Sequence, residues 1–241
     1  MASEDQGVDL LWGSRDKPAR PPRLALTVDR IAAAAIEVAD AEGMAAVSMQ
    51  QVAARLDVTK MALYRHVASK AELVAVMIES AVGEPPDLRA VPGGWRPSLV
   101  RWSDLMRETW RRHPWLPAAT TGERMTGPRE VGWTESAVAA LDGTGLDGGE
   151  RMDAVFLLSG HIRNTQSGAT AGTQPWTEEK RLRTIPHEHR DRFPALHEAA
   201  QSINGAPRDN GWQFGLDRIL DGLAVLIEQR QVRARRSDPT R

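Results

Sequence analysis

The feature that most constrains this chain is a run of helix-start signals crowded into one stretch near its N-terminus. Thr27 precedes an apolar stripe of Ile31, Ala34, Ala35 and Val38, with Asp29 in the first turn and Gly43 as a stop. Ser48 with Gln51 forms a capping box ahead of Met49, Val52 and Leu56. Thr59 can cap a third helix running to Val67, and Ser69 with Glu72 opens a fourth that ends at Gly83. Three short helices thus precede a longer one, the layout of a compact helical support.

Beyond Gly83, prolines 85, 86 and 92 mark a linker over residues 84–94. Helical periodicity then continues at about 97–112, 128–141, 149–168, 195–202 and 212–233, with Asp147 and Glu150 capping the third of these. The polar tract 170–191 reads as a mobile loop. No alternating strand pattern and no internal repeat is present, so the expected fold is all-α. The expected organisation is an arm over residues 1–26, a compact helical unit over 27–83 and a larger helical domain over 84–241.

The chain has 241 residues, 41% of them hydrophobic and 26% charged, which is the composition of a folded globular protein. The absence of cysteine excludes disulfides, zinc–thiolate sites, iron–sulfur clusters and cysteine nucleophiles. No apolar run approaches the ~20 residues of a membrane span, and residues 1–7 are acidic and polar where a signal peptide would be basic and then apolar. A cytoplasmic location without a membrane partner is the expectation. The net charge of −1 argues weakly against nucleic acid. Its distribution argues the other way, since Arg55, Lys60, Arg65 and Lys70 face a single acid, Asp57. A second basic group, Arg15, Lys17, Arg20 and Arg23, is either a solvated tail or a minor-groove arm.

Residues 48–67 have the length and layout of a helix-turn-helix. At about 100° per residue, Leu63 and Val67 face one side of the third helix, whereas Met61, Ala62, Tyr64 and Arg65 lie across from it or beside it. Arg65 can donate to a phosphate or a guanine edge, Tyr64 can donate to a phosphate or pack on a thymine methyl, and Ala62 permits close approach. Lys60 and Lys70 stand at helix starts, where backbone N–H groups and the helix dipole also favour phosphate.

The run Ser48 to Met77, with Ala62-Leu63-Tyr64-Arg65-His66-Val67 and Ser69-Lys70-Ala71-Glu72-Leu73 at its centre, resembles the DNA-binding region of the TetR family of transcriptional regulators. The resemblance covers roughly residues 27–82. By position it implies base reading by Gln50, contacts from Lys60, Met61 and Ala62 at the start of the recognition helix, and phosphate contacts from Tyr64, His66 and Lys70. Asp57 departs from the family's usual turn glycine, and aspartate tolerates the left-handed conformation needed there.

The stretch Phe214 to Leu223 is similar to the last helix of the tetracycline-repressor branch. Leu216, Leu220, Leu223 and Ile227 form one apolar stripe, and Ile219 and Leu226 a second, which implies a partner helix. Gly215 and Gly222 suggest close approach of another backbone. A homodimer formed by the helices near 149–168 and 212–233 is expected, and two-fold symmetry then implies a palindromic operator. Trp95, Trp102, Trp110, Trp115, Trp133 and Trp176 suggest a tryptophan-lined cavity for a small effector. Trp102, Met106, Trp110, Met125, Phe156, His161, Asn164 and Gln166 are the candidate ligand-binding residues.

No cofactor is expected. Residues 118–122 lack the histidine that helps bind a drug-chelated metal in that branch, and His187, Glu188, His189 and His197 lack zinc-like spacing. The expected function is therefore a ligand-responsive regulator, most simply a repressor released from double-stranded operator DNA by a small molecule. An enzyme built around Ser159 and His161 is disfavoured because no nucleophile elbow, phosphate loop or HExxH motif occurs. A sequence-tolerant architectural protein would usually carry a larger positive charge.

Overall fold

The computed structural model describes residues 9–12, 25–166, 185, 187–202 and 210–237. Ten α-helices are labelled here in chain order, and no strand occurs among the described residues. The N-terminal unit comprises α1 (Val28–Glu42), α2 (Met49–Arg55), α3 (Lys60–Tyr64) and the connecting helix α4 (Lys70–Val82). The larger domain comprises α5 (Trp95–Arg112), α6 (Leu116–Ala119), α7 (Pro128–Ala139), α8 (Gly148–Gln166), α9 (Pro194–Ser202) and α10 (Asn210–Ser237).

Each of the first four helices starts where a short polar side chain can satisfy an orphan backbone donor. Thr27, Ser48, Thr59 and Ser69 accept from the N–H groups of Arg30, Gln51, Ala62 and Glu72. At α4 the box is reciprocal, for the Glu72 carboxylate accepts from the Ala68 N–H at 2.7 Å. Ile31, Ala35, Val47, Val52, Leu63, Val67 and Leu73 are fully buried together and form the core of this unit.

Two expectations for this unit change. The third helix is five residues long and does not reach Val67. Its end tightens, with His66 N–H donating to the Leu63 carbonyl at 2.8 Å, because Ser69 begins the next helix too soon for another turn. Arg55 is also not part of an open basic run, since it pairs with Glu37 of α1 at 2.7 Å. In the turn before α3, Asp57 adopts φ 55°, the left-handed conformation its residue type tolerates at a cost of about 1 kcal/mol.

In the larger domain, α5, α7, α8 and α10 pack around Leu99, Trp102, Ala137, Leu158, Ile162, Leu216 and Leu220. The interval after α5 is not a plain loop, for it holds α6, and a 3₁₀ turn at Leu88–Ala90 interrupts the linker. Of the polar tract expected to be a loop, residues 170–184 and 186 lie outside the described residues, as do 167 and 168 of the preceding expected helix, while His187–Arg192 forms a 3₁₀ turn. Most of the expected arm, including Arg15, Lys17, Arg20 and Arg23, also lies outside them. Its apolar cluster is not an open chain, however. Residues 9–12 form a helical turn with Leu11 in the core, and the Trp12 indole N–H donates to the Thr126 carbonyl at 3.1 Å.

Helices α8 and α10 are joined by Glu150 and Arg230, whose guanidinium donates from Nε at 2.8 Å. Those hydrogen bonds, and then the Asp147 backbone N–H, hold the Glu150 carboxyl below the ordinary carboxylate range. A carboxyl depressed in the folded state stabilises the fold above its unfolded value, and that contribution disappears as pH falls through the folded value. Glu150→Gln should therefore be less stable than wild type at neutral pH, with the difference shrinking towards zero on acidification. Urea unfolding followed by circular dichroism across an acidic pH series measures this directly, and a difference independent of pH would refute it.

Candidate functional site

The helix-turn-helix presents its candidate contacts outward. Met61 is 67% exposed and Tyr64 44%, while Leu63 and Val67 between and beyond them are fully buried. Gln50, Lys60, Arg65 and Lys70 are exposed as well, and Ala62 and His66 are half-buried at the edge of the same surface. Among the described residues no carboxylate pairs with Lys60, Arg65 or Lys70, so their charge is available to an external anion. The phosphate argument needs one adjustment: α3 has five residues and so little dipole, leaving α4, with 13, as the helix start that reinforces a lysine.

At its other end α4 is locked into the larger domain by a buried carboxylate. Glu79 is 3% exposed, and its two oxygens accept from the N–H groups of Arg129 and Glu130 at 2.9 and 3.1 Å. These are orphan donors of the first turn of α7, where a carboxylate also meets the positive end of the helix dipole. Gly127 makes room for it, because a Cβ there would overlap the Glu79 side chain. The link is returned by Trp133 of α7, whose indole N–H donates to the Gly83 carbonyl at the end of α4 at 3.3 Å. A second link joins α1 to the turn before α6, where Asp40 accepts from the Trp115 indole at 2.7 Å and from His113 Nδ1 at 3.0 Å.

Between these two links lies a cavity of about 110 Å³ bounded by α4, α5, α7 and α8. Its wall includes Val82, Met106, Trp110, Glu130, Trp133 and Arg163. Of the candidate ligand-binding residues, only Met106 and Trp110 are brought to it. Trp102 is instead a core residue that donates to the Trp133 carbonyl at 2.9 Å. Met125 packs half-buried against the core away from the cavity. Phe156 is 81% exposed two turns before Arg163 and outside the lining, Asn164 is exposed, and Gln166 ends the helix outside the lining.

His161 is also not a cavity residue, for it stacks on Trp212 with centroids 5.4 Å apart, and its Nε2 lies 2.9 Å from the Trp212 carbonyl oxygen. The same imidazole explains Gly215, since a Cβ there would overlap it. No second backbone is needed at that position. Gly222 does face open space. Of the tryptophans, Trp110 and Trp133 line the cavity, Trp115 serves the link to Asp40, and Trp176 lies outside the described residues. Glu130 and Arg163 were missed because a charged residue beside a buried stripe looks like a solvated one until the neighbouring helices are in place.

Residues 25–77 match the family model described as bacterial regulatory proteins, tetR family, and residues 87–227 match the tetracyclin repressor-like C-terminal domain. The chain belongs to the TetR family. It is 33% identical to the HTH-type transcriptional repressor DrrR1 of Streptomyces coeruleorubidus over 242 residues, covering 93% of this chain and 87% of that protein. An HTH-type transcriptional regulator of Saccharopolyspora erythraea is 27% identical, with 86% of each chain covered. Among solved structures, the Streptomyces coelicolor TetR family protein ActR in complex with (S)-DNPA matches with a TM-score of 0.70 at 25% identity, covering 83% of this chain and 98% of that one.

As a TetR family member the protein is a DNA-binding transcriptional regulator and not an enzyme. No helix among its described residues is long and apolar enough to cross a membrane. The exposed surface carries candidate phosphate and base contacts, two kinds of contact that respond differently to substitution. Lys70→Ala should weaken binding to all duplexes alike and reduce the salt slope by about one, whereas Arg65→Ala should also erode preference for a selected sequence if it reads a base edge. Fluorescence anisotropy with specific and scrambled duplexes over a salt series distinguishes them, and unchanged affinity in both variants would remove this surface from consideration.

Proposed function

We propose that the protein is a homodimeric repressor that binds a palindromic operator through Gln50, Lys60, Met61, Ala62, Tyr64, Arg65, His66 and Lys70, and leaves it when a small molecule occupies the cavity beside α4. The observation that carries this reading is that α4 touches both parts: its N-terminal end caps the helix-turn-helix, and its C-terminal end, through Glu79, Val82 and Gly83, meets α7 and the cavity wall. A ligand that favours a different placement of α7 therefore changes the placement of the recognition helix, as linkage requires. The repressor name of DrrR1 and the ligand held by ActR support the two halves of this reading.

Dimerisation is supported by the face of α8 and α10 that nothing among the described residues covers. Met152, Phe156, Leu157, Phe214 and Val225 are exposed on these two helices, and a groove of about 480 Å³ runs between them along Ala154, Leu157, Ile219, Gly222 and Leu226. An apolar surface of this kind marks an association site. Two-fold pairing here would give the two recognition helices access to successive major grooves, ~34–36 Å apart.

An operator selected from a random duplex pool tests the whole reading. Wild type should bind the selected duplex as a dimer and prefer it over a scrambled one by about 10³-fold or more. Equal affinity for both would instead favour an architectural protein. Leu157→Asp with Phe214→Asp should produce a folded monomer by analytical ultracentrifugation that loses specific binding. Glu79→Gln leaves one α7 donor without its acceptor, so the thermal midpoint should fall by the equivalent of about 1–3 kcal/mol. Operator affinity should shift severalfold although the residue is remote from DNA. A destabilised Glu79→Gln protein with wild-type operator affinity would break the proposed connection.

A further inference from the structure

The chemistry of the cavity wall narrows the class of effector, an inference that rests on reading the cavity as the effector site. Two of its neighbouring groups neutralise one another, for the Arg124 guanidinium grips both oxygens of Glu130, one of them at 2.8 Å. Arg163 has no such partner among the described residues. It lines the cavity half-buried, lies 5.0 Å from the centroid of the Trp110 ring, and donates to the Pro117 carbonyl and, at 3.0 Å, to Thr120 Oγ1. Among the described residues no carboxylate stands within ion-pairing distance of it.

Of the two charged residues that line the cavity, Glu130 is thus paired by Arg124, while Arg163 has no ion-pair partner among the described residues. Burial pulls the Arg163 guanidinium below its ordinary value, and Arg124 adds to this while Glu130 opposes it. Arginine stays protonated even so, and an unpaired charge at such a position is unfavourable until an anion joins it. Beside it are the indole rings of Trp110 and Trp133, with the hydroxyls of Thr109 and Thr134. We propose that the effector is an aromatic carboxylate whose acidic group pairs with Arg163 and whose ring system packs on Trp110 and Trp133.

This ligand class also supplies a reason for the response. Arg163 holds α6 through Pro117 and Thr120, and Trp115 at the start of α6 holds Asp40 of α1. A carboxylate that engages Arg163 competes for the donors that hold α6. The cavity, about 110 Å³, is also smaller than the ~150 Å³ known to admit a single benzene, so a ring system of two or more rings must move its walls apart.

Isothermal titration calorimetry on the full chain with 2-naphthoate and its uncharged isostere 2-naphthamide tests the proposal. Wild type should bind the acid about tenfold more tightly than the amide or better, as a charge-assisted bidentate pair requires. Arg163→Gln should bring the two within about threefold of each other, and Arg163→Lys should restore most of the preference. Equal binding of acid and amide by wild type overturns the proposal without reference to any variant, as does binding of neither at millimolar concentration. A preference that survives Arg163→Gln overturns it too. Thr134→Trp, which fills the cavity, separates the underlying reading: naphthoate binding that persists in this variant removes the cavity as the site. Two probes that are equally weakened by Thr134→Trp and equally bound by wild type leave the cavity standing and remove only the anion.

Discussion

The arrangement depends on a carboxylate in an unusual place. Glu79 is buried in the contact between the connecting helix and α7, a position that would be strongly destabilising for an unsatisfied acid. It is tolerated because the first turn of α7 offers backbone donors with no partner of their own, and because Gly127 leaves the space that a side chain would fill. Hydrogen bonds to a charged group contribute about 1.5–3 kcal/mol each, so this contact resists sliding more than an apolar one of the same area would. Trp133 closes the link from the opposite side by donating to Gly83. The connecting helix is thus fixed in register as well as in position against α7.

The cavity inherits its shape from that contact. Val82 lies one turn beyond Glu79, and Glu130 and Trp133 lie within the first two turns of α7, so three of the wall residues move with the link. On the far side Arg163 ties α8 to α6, and α6 starts from the tryptophan that reaches Asp40 in α1. The helix-turn-helix unit is held at α1 and at α4, through Trp115, two residues before the Pro117 carbonyl that Arg163 holds, and through Glu79, which bonds the backbone of Glu130 itself. No chain of subtle shifts through the core is needed to connect the two ends of the protein.

How much of this the sequence discloses depends on the range of the interaction. The helix starts at Thr27, Ser48, Thr59 and Ser69 were legible because a cap involves residues three apart, and the outward direction of Met61, Tyr64 and Arg65 followed from Leu63 and Val67 on one short helix. Asp57 was legible as a left-handed turn residue for the same reason. The extent of α3 was not, because the competing cap at Ser69 shortens it. The cavity was hardly legible at all. It takes residues from four helices, and the features that seemed to mark it had other uses: His161 stacks on Trp212 above Gly215, Trp102 fills the core, and Phe156 faces outward. Tryptophan content signalled large buried rings but not which of them border a space.

The energetic scale suits a switch. Couplings between ligand and DNA sites are typically about 1–3 kcal/mol, which is the size of one charge-assisted hydrogen bond gained or lost. A global repacking of the core would cost far more and would be a poor way to deliver so small a difference. Local contacts such as Glu79 on α7, Trp115 on Asp40 and Arg163 on Pro117 can each be weakened singly while the apolar interior of both units stays packed. In a dimer the effect is also felt twice, because each protomer places one recognition helix, and a displacement in either protomer alters the spacing that a rigid duplex will accept. A regulator built this way needs no repacking of its core, only a ligand that parts the cavity wall and whose charge makes it a better partner for the guanidinium than the backbone carbonyl already there.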